Sequence, residues 1–307
     1  TNGGRLRKEI LVDGVKRPAH EAMGAFNAVI FMPQMTRILE EGPDERRRYL
    51  NLALAQSSPA YARALAEYSQ AVSQRNALLK LLGERGGDPS QLDFWDESIA
   101  RSGSTIIRGR IAAVDQLSTI ARQIHADLVR GRENLRLVYQ PAYDPLPHPE
   151  GQIALRMDTV VDRNGLAEDE IRQGFLTRLQ QVRAEEISRG VTTIGPHRDE
   201  LRFLSNSLDL GDYGSRGQIR TAILALKLAE VEWLKKVTGQ WPVLLLDEVL
   251  AELDPLRRAD LLAYLQKVEQ ALITTTDMHL FDPGFISHTD LWQVREGAIQ
   301  VLQKGDI

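Results

Sequence analysis

The final third of the chain alternates apolar runs with amphipathic stretches, and this alternation restricts the possible fold more than any other feature. Apolar runs at residues 243–246 and 272–275 have the length and composition of buried strands. Helical patterns at 217–237 and 255–268 precede and separate them. A strand, a helix and a second strand in this order form a crossover unit, whose two strands run parallel. We therefore predict an α/β fold with a parallel sheet.

The first two thirds of the chain are predicted to be mainly helical. From about residue 41 to 136, apolar residues recur at every third or fourth position. Glycine-containing stretches at 86–89 and 102–104 predict helix breaks, so we expect several packed helices rather than one coiled coil. The remaining predicted elements are a hairpin turning at Asp13-Gly14, strands at 28–31, 135–139, 153–157 and 201–204, a helix at 167–189, and a terminal hairpin of 291–294 with 298–302.

Composition matters for the classes of protein that it excludes. The 307 residues carry 38 Lys plus Arg against 42 Asp plus Glu, a net charge of −4, which excludes strongly basic and strongly acidic proteins. Because the chain has no cysteine, disulfides, thiolate metal sites and cysteine nucleophiles are excluded. It has no apolar run of about 18 residues and no signal peptide, so we expect a cytoplasmic protein without a membrane partner.

Two adjacent carboxylates, Asp247 and Glu248, end the apolar run at 243–246. The carboxyl ends of parallel strands are where α/β sheets bind ligands. In a nucleotide hydrolase the first acid at this place holds Mg²⁺ and the second polarises the attacking water. A strand that simply ends in a solvated acidic turn is the alternative for this motif taken alone.

Two helix starts lie near these acids in the sequence. Asp254 precedes Pro255 and is predicted to cap the following helix. Upstream, Ser215, Gly217 and Gln218 precede a long amphipathic helix, so the hydroxyl and backbone N–H groups lie at the positive end of a helix dipole and can bind an anion. An ordinary N-cap is the alternative for either start.

The order of these motifs resembles the signature, Walker B and D-loop of ABC-type ATPases. The chain further resembles the RecF family of DNA replication and repair proteins, through residues 193–201, 217–230, 31–33, 42–50 and 74–80. This resemblance implies an ABC-type ATPase head, a P-loop sheet with flanking helices, plus a mostly helical second lobe. We expect residues 1–40 and 213–307 to belong to the ATPase lobe and residues 41–212 to the helical lobe.

The resemblance also implies roles for individual residues. ATP is expected between two head-to-tail subunits, with Asp247 binding Mg²⁺ and Glu248 acting as catalytic base in one subunit. Ser215, Gly217 and Gln218 of the other subunit would bind the nucleotide, as would the D-loop Asp254. Thr276 replaces the histidine of transporter ATPases and is a candidate γ-phosphate sensor, whereas Gln34 is either a lid residue or an ordinary loop glutamine.

One motif of the family is missing from the sequence. No G-x-x-x-x-G-K-[ST] loop occurs, and its phosphate-binding lysine is essential to such ATPases. The chain begins without Met and enters a hairpin at once, so we expect the loop to lie before Thr1. The family further implies DNA, a homodimer, RecR and RecO as partners. The missing loop supports an alternative, a non-enzymatic DNA-binding or interaction module. An SMC-like ATPase is disfavoured because sustained heptads are lacking.

DNA binding is predicted from local charge. Residues 101–136 contain seven arginines against three acids, a local charge of +4, and we select as candidate phosphate contacts Arg101, Arg108, Arg110, Arg122 and Arg130. A solvated helix face is the alternative. The triplet Arg46-Arg47-Arg48 lies beside Asp44 and Glu45, which suggests local pairing. The six histidines show no metal-ligand spacing, and His197 is interpreted as part of a structural turn.

Overall fold

The computed structural model describes residues 9–146 and 161–302. These residues divide into two compact units. The larger, here called the helical unit, takes the chain up to residue 29 and residues 35–242; the smaller, here called the sheet unit, takes residues 30–34 and those from 243 onward. The lobe boundaries expected near residues 40 and 212 stay a prediction.

Both units contain helices and strands. The helices are α1 Ala19–Ala22, α2 Arg37–Glu40, α3 Pro43–Ser57, α4 Pro59–Arg85, α5 Asp93–Leu128, α6 Glu168–Arg189, α7 Leu210–Tyr213, α8 Arg216–Thr238, α9 Pro255–Leu265 and α10 Pro283–Ser287. The strands are β1 Leu11–Val12, β2 Val15–Lys16, β3 Ala28–Phe31, β4 Leu135–Gln140, β5 Glu200–Ser205, β6 Leu208–Asp209, β7 Val243–Asp247, β8 Ala271–Thr274, β9 Leu291–Arg295 and β10 Ala298–Leu302. Among the described residues, no helix is both long and apolar enough to cross a membrane.

Long helices dominate the helical unit, and one of them corrects a prediction. Helix α5 continues for 36 residues through the break expected at Ser102-Gly103-Ser104. A Cβ placed on Gly103 would lie 2.7 Å from the Phe175 ring and 3.2 Å from the Tyr68 ring, so this glycine permits close packing of α4 and α6. Gly103 is therefore accommodated within α5, because the packing contacts that it permits outweigh the low helix propensity of glycine.

A buried ion network joins three long helices, α4, α5 and α6. Arg75 of α4 donates to Asp96 of α5 and to Glu186 of α6, both at 2.6 Å, and all three side chains are fully buried. Arg75 also donates to the Thr192 hydroxyl at 3.0 Å. Removing one partner of such a buried pair costs about 3–5 kcal/mol, because the other charge is left unpaired. The network thus ties the helices to the chain that follows α6.

Short antiparallel strands accompany these helices. Strands β4, β5 and β6 form one antiparallel sheet, with Leu137 opposite Phe203. The strands predicted at 135–139 and 201–204 are confirmed, whereas the strand predicted at 153–157 lies outside the described residues. The predicted first hairpin is also present as β1 and β2, turning at Asp13 and Gly14 with positive φ angles of 51° and 77°.

The sheet unit has the predicted parallel architecture. Its three-stranded sheet has the order β3-β7-β8, with β7 in the centre. Strands β7 and β8 run parallel, with Asp247 opposite Thr274, and α9 connects them. Strands β9 and β10 form the predicted terminal hairpin. The mixed α/β fold is thereby confirmed.

Candidate nucleotide and DNA sites

The two adjacent acids lie at the carboxyl end of the central strand β7. Leu244 and Leu246 are buried, whereas Asp247 is exposed and Glu248 is half-buried. The apolar residues hold the strand in the sheet, and the chain leaves the sheet where the carboxylates begin. The expected placement of both acids at one sheet edge is therefore observed.

Glu248 adopts an unusual backbone conformation. Its φ is 54°, in the left-handed region that costs a non-glycine residue about 1–3 kcal/mol and is found disproportionately at functional sites. Its N–H donates to the Thr274 carbonyl at 3.4 Å, and the 3₁₀ helix Val249–Glu252 follows directly. The chain therefore leaves strand β7 at Glu248, directly after Asp247.

Thr274 lies in the candidate site and was not predicted from the sequence. Its hydroxyl donates to Asp247 Oδ1 at 2.7 Å, so it orients one carboxylate oxygen. The other oxygen, Oδ2, makes no hydrogen bond to another described residue. The signal was available only through strand register, since Thr274 and Asp247 are 27 residues apart but paired across β7 and β8. Thr276 follows β8 by two residues at the same sheet edge and is exposed.

The other predicted nucleotide residues of the sheet unit lie in exposed turns. Asp254 caps α9, accepting from the N–H groups of Leu256 and Arg257 at 3.1 Å each. The hydrogen bond from the Arg257 N–H is the main cause that lowers the pKa of Asp254. The capping prediction is confirmed, and a nucleotide role for Asp254 stays a prediction. Gln34 is exposed in the 3₁₀ helix Pro33–Thr36, and its role also stays a prediction.

The donor set at the sheet edge fits Mg²⁺ bound together with a nucleotide. Asp247, Glu248, Thr274 and Thr276 offer oxygen atoms, the ligand type that Mg²⁺ prefers. Within the described residues, no group of three or more His, Asp or Glu side chains is placed to hold a metal alone. Since Mg²⁺ in nucleotide sites takes one or two carboxylates plus phosphate and water, a single exposed aspartate is a suitable protein ligand.

The turn before α8, in the helical unit, has the geometry of an open helix N-terminus. Ser215 Oγ accepts from the Gln218 N–H at 3.3 Å, and the Gln218 side chain accepts from the Ser215 N–H at 3.0 Å, a reciprocal capping box. Ser215 and Gly217 are exposed, and a Cβ on Gly217 would meet nothing within 4 Å. Packing within the unit does not explain this glycine, which leaves the first N–H groups of α8 accessible.

The arginines chosen as DNA contacts separate into exposed and buried groups. Arg101, Arg108 and Arg122 are exposed on α5, and Arg108 forms an ion pair with Glu168 at 3.2 Å. Arg130 is exposed after the end of α5, where its guanidinium donates to the Asp127 carbonyl at 2.9 Å. Residues 101, 108 and 122 lie on one side of the helix because their spacings are multiples of seven.

Arg110 corrects the predicted DNA face. Its side chain is 1% exposed and donates to Asp199 Oδ2 at 2.7 Å, to the Pro196 carbonyl at 2.6 Å and to Asn51 Oδ1 at 2.9 Å. It therefore holds the turn at 195–199 instead of contacting solvent. Its position three or four residues from Ile106, Ile107 and Val114 places it on the buried stripe of α5, a signal that the charge count ignored.

His197 belongs to the same turn and has structural hydrogen bonds, as interpreted from the sequence. Its Nδ1 contacts the Tyr68 hydroxyl at 2.7 Å and its Nε2 contacts the Thr192 carbonyl at 3.1 Å. Since a carbonyl only accepts, Nε2 carries the hydrogen and Nδ1 accepts from Tyr68. Burial lowers the pKa of the imidazole, although the Thr192 hydrogen bond opposes this effect.

The lowered pKa of His197 predicts loss of stability in acid. Below the ordinary histidine pKa of about 6.5, the unfolded chain binds a proton that the folded chain does not, so stability is full above that pH and falls as pH decreases. Each unit of difference contributes about 1.4 kcal/mol. Urea unfolding at pH 7.5 and 5.5 should show a larger loss for wild type than for His197→Gln. An equal loss in both proteins would contradict the prediction, and the exposed His279→Gln is the matched control.

Similar proteins share both the sequence and the fold. The DNA replication and repair protein RecF of Synechococcus is 38% identical over 302 residues, covering 98% of this chain and 75% of that protein. RecF of Herpetosiphon aurantiacus is 39% identical over 298 residues, covering 95% and 70%. A solved structure of the recombination mediator protein RecF with ATPrS, described as part of the RecFOR pathway, superimposes with a TM-score of 0.80 at 31% identity, covering 97% and 74%. A RecF–ATP structure matches with the same TM-score at 30% identity. No family model matches the chain.

Proposed function

Because the chain belongs to the RecF family of DNA replication and repair proteins, we propose that it acts in the full-length protein as an ABC-type ATPase. In this proposal, ATP joins two copies head to tail on DNA, at gaps or junctions between single and double strands. Hydrolysis then releases the dimer, so that the ATPase times the clamping on DNA. RecR and RecO are the proposed partner proteins.

The observation that carries the proposal is the geometry at the end of β7. An exposed aspartate is oriented by the Thr274 hydroxyl, and a glutamate follows in a left-handed turn. A solvated acidic turn requires neither the oriented carboxylate nor the strained backbone. Solved RecF structures with ATP or ATPrS support ATP as the nucleotide.

Each residue then has a chemical task. Asp247, oriented by Thr274, would hold Mg²⁺, which neutralises charge on the phosphates. Glu248 would accept a proton from the attacking water, because its half-buried carboxylate lies beside Asp247 at the same edge. Thr276 would donate its hydroxyl hydrogen to the γ-phosphate. Asp254 and Gln34 are proposed to contact the nucleotide from neighbouring turns.

The turn before α8 would act on the nucleotide held by the other subunit. The Gln218 N–H donates to Ser215 Oγ and holds it in place, while the Ser215 hydroxyl and the accessible N–H of Gly217 are hydrogen-bond donors at the positive end of a 23-residue helix. They would bind the γ-phosphate, so dimerisation completes the site. Hydrolysis of ATP by the full-length protein, and its loss in Glu248→Gln, tests this part of the proposal.

The DNA surface is proposed on the exposed side of α5. Arg101, Arg108 and Arg122 share that side, and Arg110 is removed from the set because it is buried. Arg101 and Arg122 are 21 positions apart and so are separated by about 30 Å along the helix, the length of about nine base pairs. Contacts of this kind go to phosphates and carry no base specificity.

Replacing Arg101 and Arg122 together with Glu should weaken duplex binding at least tenfold. Each lost phosphate contact should also reduce the slope of log affinity against log salt by about 1. Fluorescence anisotropy with a labelled duplex at several salt concentrations measures both quantities. Lys80→Glu with Arg85→Glu on α4 makes the same charge change elsewhere and is the control. An unaltered salt slope in the Arg101/Arg122 variant would place the DNA surface on another face.

A further inference from the structure

Arg46 differs from its neighbours in the triplet at 46–48, because its ion pair is with a distant residue rather than a local one. The local pairing expected from the sequence holds for Arg47 with Asp44 at 2.5 Å and for Arg48 with Glu45 at 3.7 Å. Arg46 instead donates in bidentate fashion to Glu200 of β5, from Nε at 2.7 Å and from the second guanidinium nitrogen at 2.9 Å. Its side chain is only 14% exposed. A bidentate pair of this kind fixes direction as well as distance.

The third nitrogen of the Arg46 guanidinium, which does not contact Glu200, lies near the short helix α7. This nitrogen donates to the Glu41 carbonyl at 2.9 Å and would lie 4.0 Å from a Cβ on Gly211. The Glu200 hydrogen bond is the main cause that raises the pKa of Arg46, and the charges of Asp209 and Asp212 act in the same direction. Arg46 therefore lies among the acids that begin α7.

Asp209 connects this cluster to the backbone of α7. One of its oxygens accepts from the Gly211 N–H at 2.9 Å and caps the helix, while the other accepts from Arg202 at 2.6 Å. The Asp209 carboxylate is thus held from the β5 side by one arginine and lies in the field of a second. The position of the start of α7 therefore depends on the charges of both Arg202 and Arg46.

Helix α7 leads directly into the turn before α8, residues 213–218, which we call the signature turn. Only Gly214 separates α7 from Ser215, and its N–H donates to the Leu210 carbonyl at 3.1 Å. A Cβ at Gly214 would lie 2.5 Å from that carbonyl oxygen and 3.1 Å from Ile219 of α8. Because the two helices pack this tightly at the turn, a displacement of α7 also displaces Ser215.

We propose that Arg46 is a positioning residue for the signature turn, residues 213–218. It holds α7 against β5, and α7 in turn places Ser215 and the first N–H groups of α8 where they meet the nucleotide bound by a second subunit. The inference rests on the proposed function, since it assigns a role in ATP-dependent dimerisation. Arg46 itself touches no nucleotide in this scheme.

The test compares Arg46→Met with Arg47→Met in the full-length protein. Both substitutions remove one ion-paired arginine of similar exposure from α3, but Arg47 donates to Asp44 and to the Asp199 carbonyl. Sedimentation velocity with ATPγS measures dimer affinity, and a fluorescent ATP analogue measures nucleotide binding by the monomer. Arg46→Met should weaken the dimer at least tenfold while changing monomer binding less than twofold. Arg46→Lys should give a dimer affinity between those of wild type and Arg46→Met, since lysine keeps the charge and loses the bidentate geometry.

Different outcomes would contradict the positioning role of Arg46 and the proposed function on which it rests. Equal dimer affinities for Arg46→Met and Arg47→Met would overturn the positioning role, and so would a parallel loss of monomer nucleotide binding. Should Arg46→Met not fold, Glu200→Gln is the alternative variant. It removes the charge of the bidentate pair while keeping the size of the side chain, and it should weaken the dimer at least threefold. Failure of the proposed function is seen separately, as normal ATPγS-dependent dimerisation by Ser215→Arg.

Discussion

Glu248→Gln in the full-length protein is expected to lower the rate of ATP hydrolysis by about 10² to 10⁴, the contribution typical of a general base. The amide keeps the size of the side chain and its half-buried place after β7 but cannot accept a proton from water. Asp247 and Thr274 are untouched, so ATP binding should persist. The ATP-bound dimer should accumulate, because the step that dissolves it is blocked.

Phosphate release and size-exclusion chromatography with ATP measure the two effects of Glu248→Gln. Glu252→Gln, an exposed glutamate four residues further along the same 3₁₀ turn, is the matched control and should hydrolyse ATP normally. Unchanged hydrolysis by Glu248→Gln would remove Glu248 from the mechanism. Loss of nucleotide binding in this variant would instead assign it a ligand-holding role.

Ser215→Arg is expected to abolish ATP-dependent dimerisation while leaving ATP binding by each monomer intact. The side chain lies at the exposed N-cap of α8, where a long arginine fills the space that an incoming phosphate needs. The capping hydrogen bond is lost as well, at a cost of about 1 kcal/mol. Light scattering with ATPγS measures the dimer, and a fluorescent ATP analogue measures binding.

Ser58→Arg separates the loss of a helix cap from the loss of the phosphate contact. Ser58 caps α4 with the same geometry, its Oγ accepting from the Tyr61 N–H at 3.2 Å, but its helix carries no predicted nucleotide residue. Ser58→Arg should destabilise the protein to a similar extent and leave dimerisation intact. A dimer of normal affinity in Ser215→Arg would contradict the head-to-tail arrangement.

Local signals predicted several elements of the candidate site because these elements depend on residues that are close together in the sequence. The strand at 243–246, the cap at Asp254 and the helix start after Ser215 each depend on residues within about four positions. Hydrophobic period and capping chemistry act over this same distance. The placement of Asp247 and Glu248 at a sheet edge followed from the strand alone.

Charge counting failed where a charged residue is buried. Arg110 was chosen as a DNA contact because its neighbourhood is basic, yet it lies on the apolar stripe of α5 and holds Asp199, 89 residues away. Tyr139 donates to the same carboxylate from β4. A net charge averaged along the chain cannot distinguish a solvent-facing arginine from one that satisfies a buried acid.

The sequence by itself determined the α/β class, the strand–helix order, the capped helix starts and the positions of the two acids, because periodicity and capping are local. Only the tertiary structure decided that Thr274 orients Asp247, that Gly103 permits three helices to pack, and that Arg46 lies against the start of α7. The Thr274–Asp247 contact joins residues 27 positions apart, and the Arg46–Glu200 pair that orients Arg46 joins residues 154 positions apart. Their partners are chosen by strand register and helix packing, which exist only once the chain has folded.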